Sequence, residues 1–528
     1  MSRRSTLAPR GPGRPDGSRA RPEPPGLEGG LRLVWLVTLG LGGLQFLALC
    51  GYSLYLWRRF DLGVDFAAFS QAWERIAHGH LNPYLTIFPY NYPHYGYPFW
   101  QSHLELMMWV LAPLYWLGRT TYVLLVVQDL ALAATGVVAL RWALEILARH
   151  WPHSPRSRTL VGAAAVVAVL GTPWTYWVAS YDFHFQPIAC FFAVMAGRDL
   201  WLGRRRAWIW VAATLLCGDV AATYVVALGL GALLAGRRFR LRGGAVLLAG
   251  VVWLAIVAAV GSGKASTLSA SYGYLASGTV GSGLSGILAI VWGIVRHPHP
   301  ALHVLRERSG DLVKYLTGAG TVGLLSPVGL PMAALILGAN GLNRSPAFVT
   351  AGATFQSMAA VWFLLVGSIA FVCWIARGRR AGAPLALAVA AAVVVQVAWT
   401  AADWLPRTSS MRQVPAAVAS GLDRAQSRIR PGDEVVASEG VLGRFGGHRW
   451  VYPFYDIFSD GQTVPVHSRR VAFIFTDAGG EAPSPGQTAA AVALVSGEPG
   501  ARVVVRASGV TAVVWDVPPG VTSIRFHP

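Results

Sequence analysis

Residues 31–57, LRLVWLVTLGLGGLQFLALCGYSLYLW, form an apolar run that leads into a polar, aromatic-rich stretch at residues 60–105, FDLGVDFAAFSQAWERIAHGHLNPYLTIFPYNYPHYGYPFWQSHLE. A run of about 27 residues without a small-residue cleavage site is longer than the core of a signal peptide and long enough to span a bilayer. We therefore expect an uncleaved first transmembrane helix followed by a large external loop, residues 58–103.

The composition places the chain among polytopic membrane proteins. Of its 528 residues, 54% are hydrophobic and only 13% are charged. Its apolar runs recur at membrane-spanning lengths, which excludes a soluble multidomain protein. The formal net charge of +19 would suggest nucleic-acid binding in a soluble protein. Here the arginines cluster between apolar runs, where the positive-inside rule accounts for them, so we predict no nucleic-acid partner.

Four arginine clusters mark the side of the membrane on which the N-terminus lies, and we expect that side to be the cytoplasm. They are at residues 149–158, 204–206, 237–242 and 377–380. Residues 1–30 are rich in Arg, Pro and Gly and are predicted to be a disordered basic tail. The arginine clusters and apolar runs together predict about nine to twelve membrane segments within residues 31–403.

Several segments between these clusters have specific expected forms. Residues 207–234 are too short for two full spans, which predicts a helical hairpin with Cys217, Gly218 and Asp219 at its turn. Residues 104–118 are short and interrupted at Pro113. We expect a loop at 261–286, one interfacial amphipathic helix at 298–316, a span at 321–337 and a last span that ends at Asp403.

The composition changes after residue 403. Residues 404–528 have ordinary charge content and contain short β-branched runs at 434–437, 471–475, 502–505 and 511–515, with an alanine-rich helical stretch at 488–495. This alternation predicts a small extracytoplasmic α/β domain.

Asp65 is the strongest candidate for chemistry, because desolvation by neighbouring aromatic residues at the membrane surface would raise the basicity of its carboxylate. The structural alternative is that Asp65 caps the helix expected to begin near Phe66. Asp61 has the same alternative, with Arg58 and Arg59 as adjacent partners.

The remaining candidates are polar residues at the ends of apolar segments. His103 and Glu105 are either interfacial anchors or contacts to a phosphate or sugar hydroxyl. Asp182 and His184 lie in the external turn 181–187, where a functional role is favoured. Asp219 is expected to point into an internal cavity, or to balance a nearby arginine.

The sequence does not predict a metal centre. His78 and His80 could bind a metal together with Asp65, but one His-Gly-His pattern without a further cluster of ligands is a weak signal. The four cysteines lie in apolar segments at wide spacing, so neither a disulfide framework nor a zinc site is indicated. No cofactor is predicted, and the pattern does not call for a divalent cation.

Six short islands, in this order and spacing, resemble a family of predicted bacterial and archaeal membrane proteins called domain of unknown function 2079. That family is similar to the GT-C glycosyltransferases, which use polyprenyl-phosphate sugars. The islands are residues 65–73, His103 with 111–115, 182–184, 219–221, 325–327 and 444–453.

The resemblance implies a GT-C-like fold and a catalytic carboxylate in the first external loop, which makes Asp65 the general base. It implies substrate contacts from Asp61, Gln71, His103, Glu105, Asp182, His184 and Asp219. Two departures stand out, because Ser70 occupies the place of a second family Asp and Cys217-Gly218 replaces a Lys-Glu pair. Another cation, such as Lys264 or an external arginine, would then have to meet the donor phosphate.

These observations predict a multi-pass membrane glycosyltransferase. Its donor would be a polyprenyl-phosphate sugar, and its acceptor a glycan, lipid or protein of the cell envelope. Two alternatives remain open at this point. One is a transporter or lipid-handling protein that uses Asp65, Asp219 and His184 as a proton or substrate path. The other is a non-catalytic relative of the enzyme.

Overall fold

The structure of the protein is a computed structural model. The residues that it describes are 27, 29–87, 96–102, 104–118, 120–260, 265–276, 280, 281, 283–349, 354–378, 382–409, 414–454, 461–480 and 482–527.

Most of these residues are helical. The helices up to residue 260 are α1 (Gly30–Arg59), α2 (Val64–Ala77), α3 (Phe99–Ser102), α4 (Met107–Leu111), α5 (Tyr115–Gly118), α6 (Tyr122–His150), α7 (Pro155–Leu170), α8 (Pro173–Ala179), α9 (Phe185–Trp201), α10 (Ala207–Leu215), α11 (Asp219–Leu234) and α12 (Arg240–Val260). The later helices are α13 (Ala265–Tyr272), α14 (Gly283–Arg296), α15 (Pro298–Glu307), α16 (Ser309–Ala319), α17 (Leu330–Leu342), α18 (Thr354–Ala376), α19 (Gly382–Ser409), α20 (Ala416–Gln426) and α21 (Pro485–Ser496).

Six helical stretches of the described chain are long and apolar enough to cross a membrane. They are Gly30–Arg59, Tyr122–His150, Pro155–Ala179, Arg237–Val260, Phe355–Ala376 and Gly382–Asp403. Four shorter apolar helices, at Met107–Gly118, Asp219–Leu234, Ser285–Arg296 and Leu330–Leu342, add to them. The predicted class, a polytopic α-helical membrane protein with a small C-terminal α/β domain, is confirmed.

Burial separates the central helices from the peripheral ones. In α6 and α18, 61% and 67% of the most apolar window is covered by protein, whereas in α19 the share is 11%. An apolar helix that is left uncovered by protein is suited to face lipid. The core of the membrane part is therefore built around α6, α18 and the stretch Pro155–Ala179, whose most apolar window is 72% covered by protein, and α19 lies at its edge.

The first long helix ends where the chain turns into the site region. Phe60 adopts a left-handed backbone conformation with φ 60°, which stops α1 at Arg59. Such a conformation is unfavourable for a bulky residue and persists only when packing holds it. Phe60 is fully buried, and its ring lies 5.7 Å from that of Phe445 in the C-terminal part of the chain.

The hairpin predicted at residues 207–234 is present as α10 and α11. Its turn contains Gly218, whose φ of 109° is available to glycine but strained for other residues. A Cβ at this position would lie 2.8 Å from Cγ of Glu105. The turn therefore requires glycine both for its backbone conformation and for the close approach of Glu105.

Three segments differ from the sequence prediction. Residues 321–337 are not one span, because a 3₁₀ turn at Thr321–Leu325 is followed by Pro327 and Gly329 before α17 begins. Residues 298–316 form two helices that are separated at Arg308, whose guanidinium donates to the carbonyls of Gly341 and Arg344. The expected loop at 261–286 contains α13.

The C-terminal strands form a mixed sheet, as the β-branched runs predicted. Its five strands, in spatial order, are β4 (Val451–Phe454), β3 (Glu434–Ser438), β6 (Arg470–Phe475), β8 (Val510–Asp516) and β7 (Ala501–Ala507). The first three are parallel and the last two antiparallel to their neighbours. Two-stranded sheets pair β1 (Tyr84–Leu85) with β2 (Tyr97–Pro98), and β5 (Gln462–Pro465) with β9 (Ser523–Phe526).

Helix α2 is the junction between the two parts. One hydrophobic cluster joins Val64 and Ala67 of α2 to Val441 and Phe445, in the segment that follows β3. The amide of Gly443 also donates to the carbonyl of Leu62 at 2.9 Å. The division at residues 403 and 404 stays a prediction, and α19 continues past it to Ser409.

Candidate functional site

Asp65 and His184 are in direct contact. Nε2 of His184 lies 3.2 Å from Oδ2 of Asp65, although the two residues come from α2 and from the turn before α9. The Asp65 side chain is 28% exposed and that of His184 only 7%. The carboxylate is therefore accessible to a ligand, while the imidazole supports it from within the protein.

The second ring nitrogen of His184, Nδ1, contacts a backbone carbonyl. Nδ1 lies 3.0 Å from the carbonyl oxygen of Asp182, which can only accept a hydrogen bond. Nδ1 must therefore carry hydrogen, and a neutral ring would present a bare Nε2 to Asp65. Nε2 is the ring nitrogen that faces Oδ2 of Asp65 at 3.2 Å.

Packing holds the His184 ring and backbone in place. The ring stacks on Phe355 with centroids 3.6 Å apart, and its backbone amide donates to Oε1 of Gln128 at 2.8 Å. Neither Gln128 nor Phe355 was predicted from the sequence. A signal for Gln128 was present, because Gln128 and Asp129 are adjacent polar residues inside the apolar helix α6, where polar side chains are costly.

Asp182 caps α2 from outside that helix. Its carboxylate accepts from the amide of Gly63 at 2.9 Å and from the amide of Phe66 at 3.0 Å. The helix begins at Val64, with Gly63 as its N-cap and no capping bond from Asp65. The capping role considered for Asp65 is therefore carried by Asp182, which leaves the Asp65 side chain directed to His184.

Burial and the charge of Asp65 raise the pKa of Asp182 to about 7, against the opposing effect of the two backbone amides and His184. The negative charge of Asp65 disfavours the ionised form of Asp182 by like-charge repulsion. The region thus concentrates proton-exchanging groups on one short stretch of α2 and the turn before α9.

Two of the residues predicted to contact substrate form hydrogen bonds within the protein. Oδ1 of Asp61 accepts from the amide of Val414 at 3.1 Å. Gln71 is fully buried, donates to Thr86 and to the carbonyl of Arg449, and accepts from the amide of Thr86. Both side chains therefore connect the first loop to the C-terminal part of the chain.

Glu105 and the hairpin turn form a second group. Glu105 is buried beside Gly218, and Asp219 is the half-buried first residue of α11. The amide of Met107 donates to the carbonyl of Leu216 at 2.7 Å, and the indole of Trp73 on α2 donates to the carbonyl of Leu111. Residues 105–111 thus link the hairpin turn to α2.

His103 and Lys264 lie outside the described residues. His78 and His80 each hydrogen-bond through Nδ1 to a backbone carbonyl of α2, from Glu74 and Arg75 respectively. In the described part of the chain no group of three or more His, Cys, Asp or Glu side chains is arranged to hold a metal ion.

A cavity of about 760 Å³ lies elsewhere, between α6, α7, α18 and α19. Its walls are almost entirely apolar, including Ala139, Val169, Ile369 and Val393. Asp65 and His184 do not line it. Such a lining suits hydrocarbon and offers few partners to a sugar.

Comparison with known proteins gives one family and one solved protein. Residues 56–486 match the family model described as "Predicted membrane protein (DUF2079)". The crystal structure of ArnT from Cupriavidus metallidurans bound to undecaprenyl phosphate is 14% identical, with a TM-score of 0.41, and the match covers 90% of this chain and 98% of that chain. The crystal structure of the same protein in the apo state is 13% identical, with a TM-score of 0.39, and the match covers 89% of this chain and 97% of that chain. No curated protein matches.

Proposed function

The chain belongs to the DUF2079 family of predicted membrane proteins, and we propose that it is a membrane glycosyltransferase. It moves a sugar from a polyprenyl-phosphate donor to a cell-envelope acceptor on the extracytoplasmic side. Asp65 acts as the general base. The contact between Asp65 and His184 is the observation that carries this proposal.

The contact supports general-base chemistry because it combines an accessible carboxylate with a buried proton partner. One oxygen of Asp65 faces His184 at 3.2 Å. The other oxygen is then available to take the proton of an acceptor hydroxyl. The imidazole stacks on Phe355 and the backbone amide of His184 donates to Gln128, so the ring can stabilise the carboxylate without a change of position.

The proposed step is an inverting displacement. Asp65 removes the proton of the acceptor hydroxyl, and the acceptor oxygen forms a bond to the anomeric carbon of the sugar. The bond between that carbon and the phosphate oxygen breaks, and its electron pair leaves with the polyprenyl phosphate. The proton stays on the pair formed by Asp65 and His184 until it is released to water.

The position of α2 supports a lipid-linked donor. Only a short connection separates α2 from α1, a candidate membrane span, so Asp65 lies close to the end of a transmembrane helix. A donor with its hydrocarbon in the bilayer would present its phosphate at this level. Residues of α2 also pack against the C-terminal part of the chain, so an acceptor held by that part would lie near the same helix.

The test is a cell-envelope glycan analysis of a deletion strain complemented with the wild type, with Asp65→Asn or with Asp516→Asn. Asn keeps the shape of the side chain but cannot act as a base. We expect Asp65→Asn to lower transfer by about 10²- to 10⁴-fold, the usual contribution of a general base. Asp516 is a half-exposed residue paired with Arg502 on the C-terminal sheet and serves as the matched control.

The purified variants are then compared for binding of a polyprenyl phosphate. An enzyme whose base is Asp65 loses transfer in Asp65→Asn but keeps lipid binding. If Asp65→Asn changes the rate at which a substrate crosses the membrane but leaves the cell-envelope glycan unchanged, the protein is a transporter. Normal glycan in the Asp65→Asn strain would rule out the proposed base.

A further inference from the structure

At the other end of α2 two arginines meet over one tryptophan. The guanidinium carbons of Arg75, from α2, and Arg449, from the segment before β4, each lie 5.4 Å from the ring centroid of Trp450. His467 stacks on the same ring at 4.2 Å with an interplanar angle of 11°. We call these four residues the basic cluster.

In the described part of the chain, the basic cluster has one carboxylate within ion-pair distance, because Oε1 of Glu434 lies 3.7 Å from Nδ1 of His467. Arg75 is buried and donates to the carbonyls of Tyr84 and Arg449. Among the residues that the structure describes, neither Arg75 nor Arg449 has a carboxylate within ion-pair distance. The nearby Glu74 is bound to His78 at 3.2 Å.

Burial and the charge of Arg449 lower the pKa of Arg75. The two guanidinium groups repel each other, and the charge of Glu74 opposes this effect on Arg75 only in part, since burial and Arg449 still lower the pKa. The backbone carbonyl of Arg449 receives the bonds from Gln71 and Arg75, whereas its exposed side chain is only placed over Trp450. The charged side chain of Arg449 therefore repels Arg75 and contributes no hydrogen bond to the fold in the described part of the chain.

We propose that the basic cluster binds an oxyanion, a carboxylate or phosphate group, on the saccharide acceptor. A planar guanidinium presents paired N–H groups that match such an anion. At about 1.5 Å per helical residue, Arg75 lies about 15 Å along α2 from Asp65. An extended acidic glycan could thus contact the basic cluster while another of its sugars reaches the base.

This inference rests on the proposed function for the identity of the ligand, but the binding site can be tested separately. Arg75 comes from α2 and the other three residues from the C-terminal part of the chain. The site is complete only when these two parts are docked, so the full chain is required for the measurement.

The experiment measures binding by calorimetry to the full chain in zwitterionic nanodiscs. The probes are an oligomer of galacturonic acid, the matching neutral galactose oligomer, and inorganic phosphate. The variants are Arg449→Gln, Arg449→Lys and the control Arg502→Gln. Arg502 lies on β7, at the opposite edge of the five-stranded sheet from β4, which follows Trp450 directly.

We expect the acidic oligomer to bind at least tenfold more tightly than the neutral one, and phosphate to compete with it. Arg449→Gln should weaken binding of the acidic oligomer about tenfold, Arg449→Lys should weaken it less, and Arg502→Gln should bind like the wild type. Binding of phosphate alone would assign the site to phosphate-bearing saccharides. Equal binding by the wild type and Arg449→Gln would overturn the proposal.

Nanodiscs that contain phosphatidylglycerol separate a lipid headgroup from a saccharide. If Arg449→Gln alters only attachment to anionic lipid and leaves both soluble anions unaffected, the cluster is a membrane contact and the proposal fails. Asp65→Asn distinguishes the two proposals. This variant should bind the acidic oligomer normally but lose sugar transfer. If the oligomer binds and transfer does not depend on Asp65, the oxyanion site is supported and the role of Asp65 as general base is rejected.

Discussion

The two ends of α2 differ in charge and in what holds them. At its first turn, Asp65 contacts His184 while Asp182 caps the helix, so both stabilising partners come from the turn between α8 and α9. At its last turn, Arg75 binds carbonyls of the first loop and of the C-terminal part. One helix of 14 residues thus joins an acidic site to a basic one. Its position depends on both parts of the chain.

The largest expected effect at the acidic end is that of Asp182→Ala. The substitution leaves the partly buried amide of Gly63 and the buried amide of Phe66 without an acceptor. Each such donor costs about 1–3 kcal/mol, so the free energy of unfolding should fall by several kcal/mol. Thermal unfolding of the full chain in detergent measures this loss. Asp182→Asn keeps an acceptor oxygen and should lose less, and equal losses would contradict the capping role.

A pH dependence should follow from the same carboxyl group. The pKa of Asp182 is raised from 3.8 to about 7, so between these values the folded protein binds a proton that the unfolded chain has released. Stability from this group is therefore greatest at low pH and falls as the pH rises, by up to about 1.4 kcal/mol per pH unit.

The measurement compares thermal unfolding of the wild type and Asp182→Asn at several pH values. The difference in the free energy of unfolding between the two proteins should change between about pH 4 and pH 7 and be constant above pH 7. A difference that does not vary with pH would show that the carboxyl has an ordinary pKa.

Gln71 tests how tightly the middle of α2 holds the C-terminal part. Gln71→Leu has a similar volume but removes the three hydrogen bonds to Thr86 and Arg449, which should lower stability by about 1–3 kcal/mol. A double-mutant cycle with Thr86→Val should give a coupling energy of about 0.5 kcal/mol or more. Additive losses would mean that the two side chains act independently.

Ser70 should have the smallest effect. It is fully buried, its hydroxyl has no hydrogen-bond partner in the described structure, and a Cβ at Gly446 would lie 2.9 Å from the Ser70 Cβ. Ser70→Ala should be neutral or slightly stabilising, within about 0.5 kcal/mol. Ser70→Asp, which restores the family pattern, should destabilise strongly because Gly446 leaves no room for a carboxylate. Tolerance of Ser70→Asp in thermal unfolding would contradict this packing.

The basic cluster at the C-terminal end of α2 could not be predicted from the sequence pattern. Arg75 is one of 44 Lys and Arg residues and had no distinguishing pattern, and Arg449 was noted only as part of the family-like stretch 444–453. Their relationship arises only from the packing of segments 374 positions apart. The prediction at 321–337 failed for a related reason, since the apolar composition of that segment concealed a break at Pro327 and Gly329.

The sequence by itself determined the membrane class, the hairpin turn at Gly218 and the α/β character of the last strands. These features follow from hydropathy, from the backbone freedom of glycine and from β-branched runs, all of which act locally. It also singled out Asp65 and His184, because ionisable residues beside membrane spans are costly.

Only the tertiary structure decided what each polar residue does. Asp182 caps α2 and Gln71 ties two parts of the chain together, although the pattern suggested substrate contacts for both. Asp65 remains available because another residue carries the capping role. A side chain's role depends on which distant donors and acceptors reach it, and that is set by how the helices and the sheet pack.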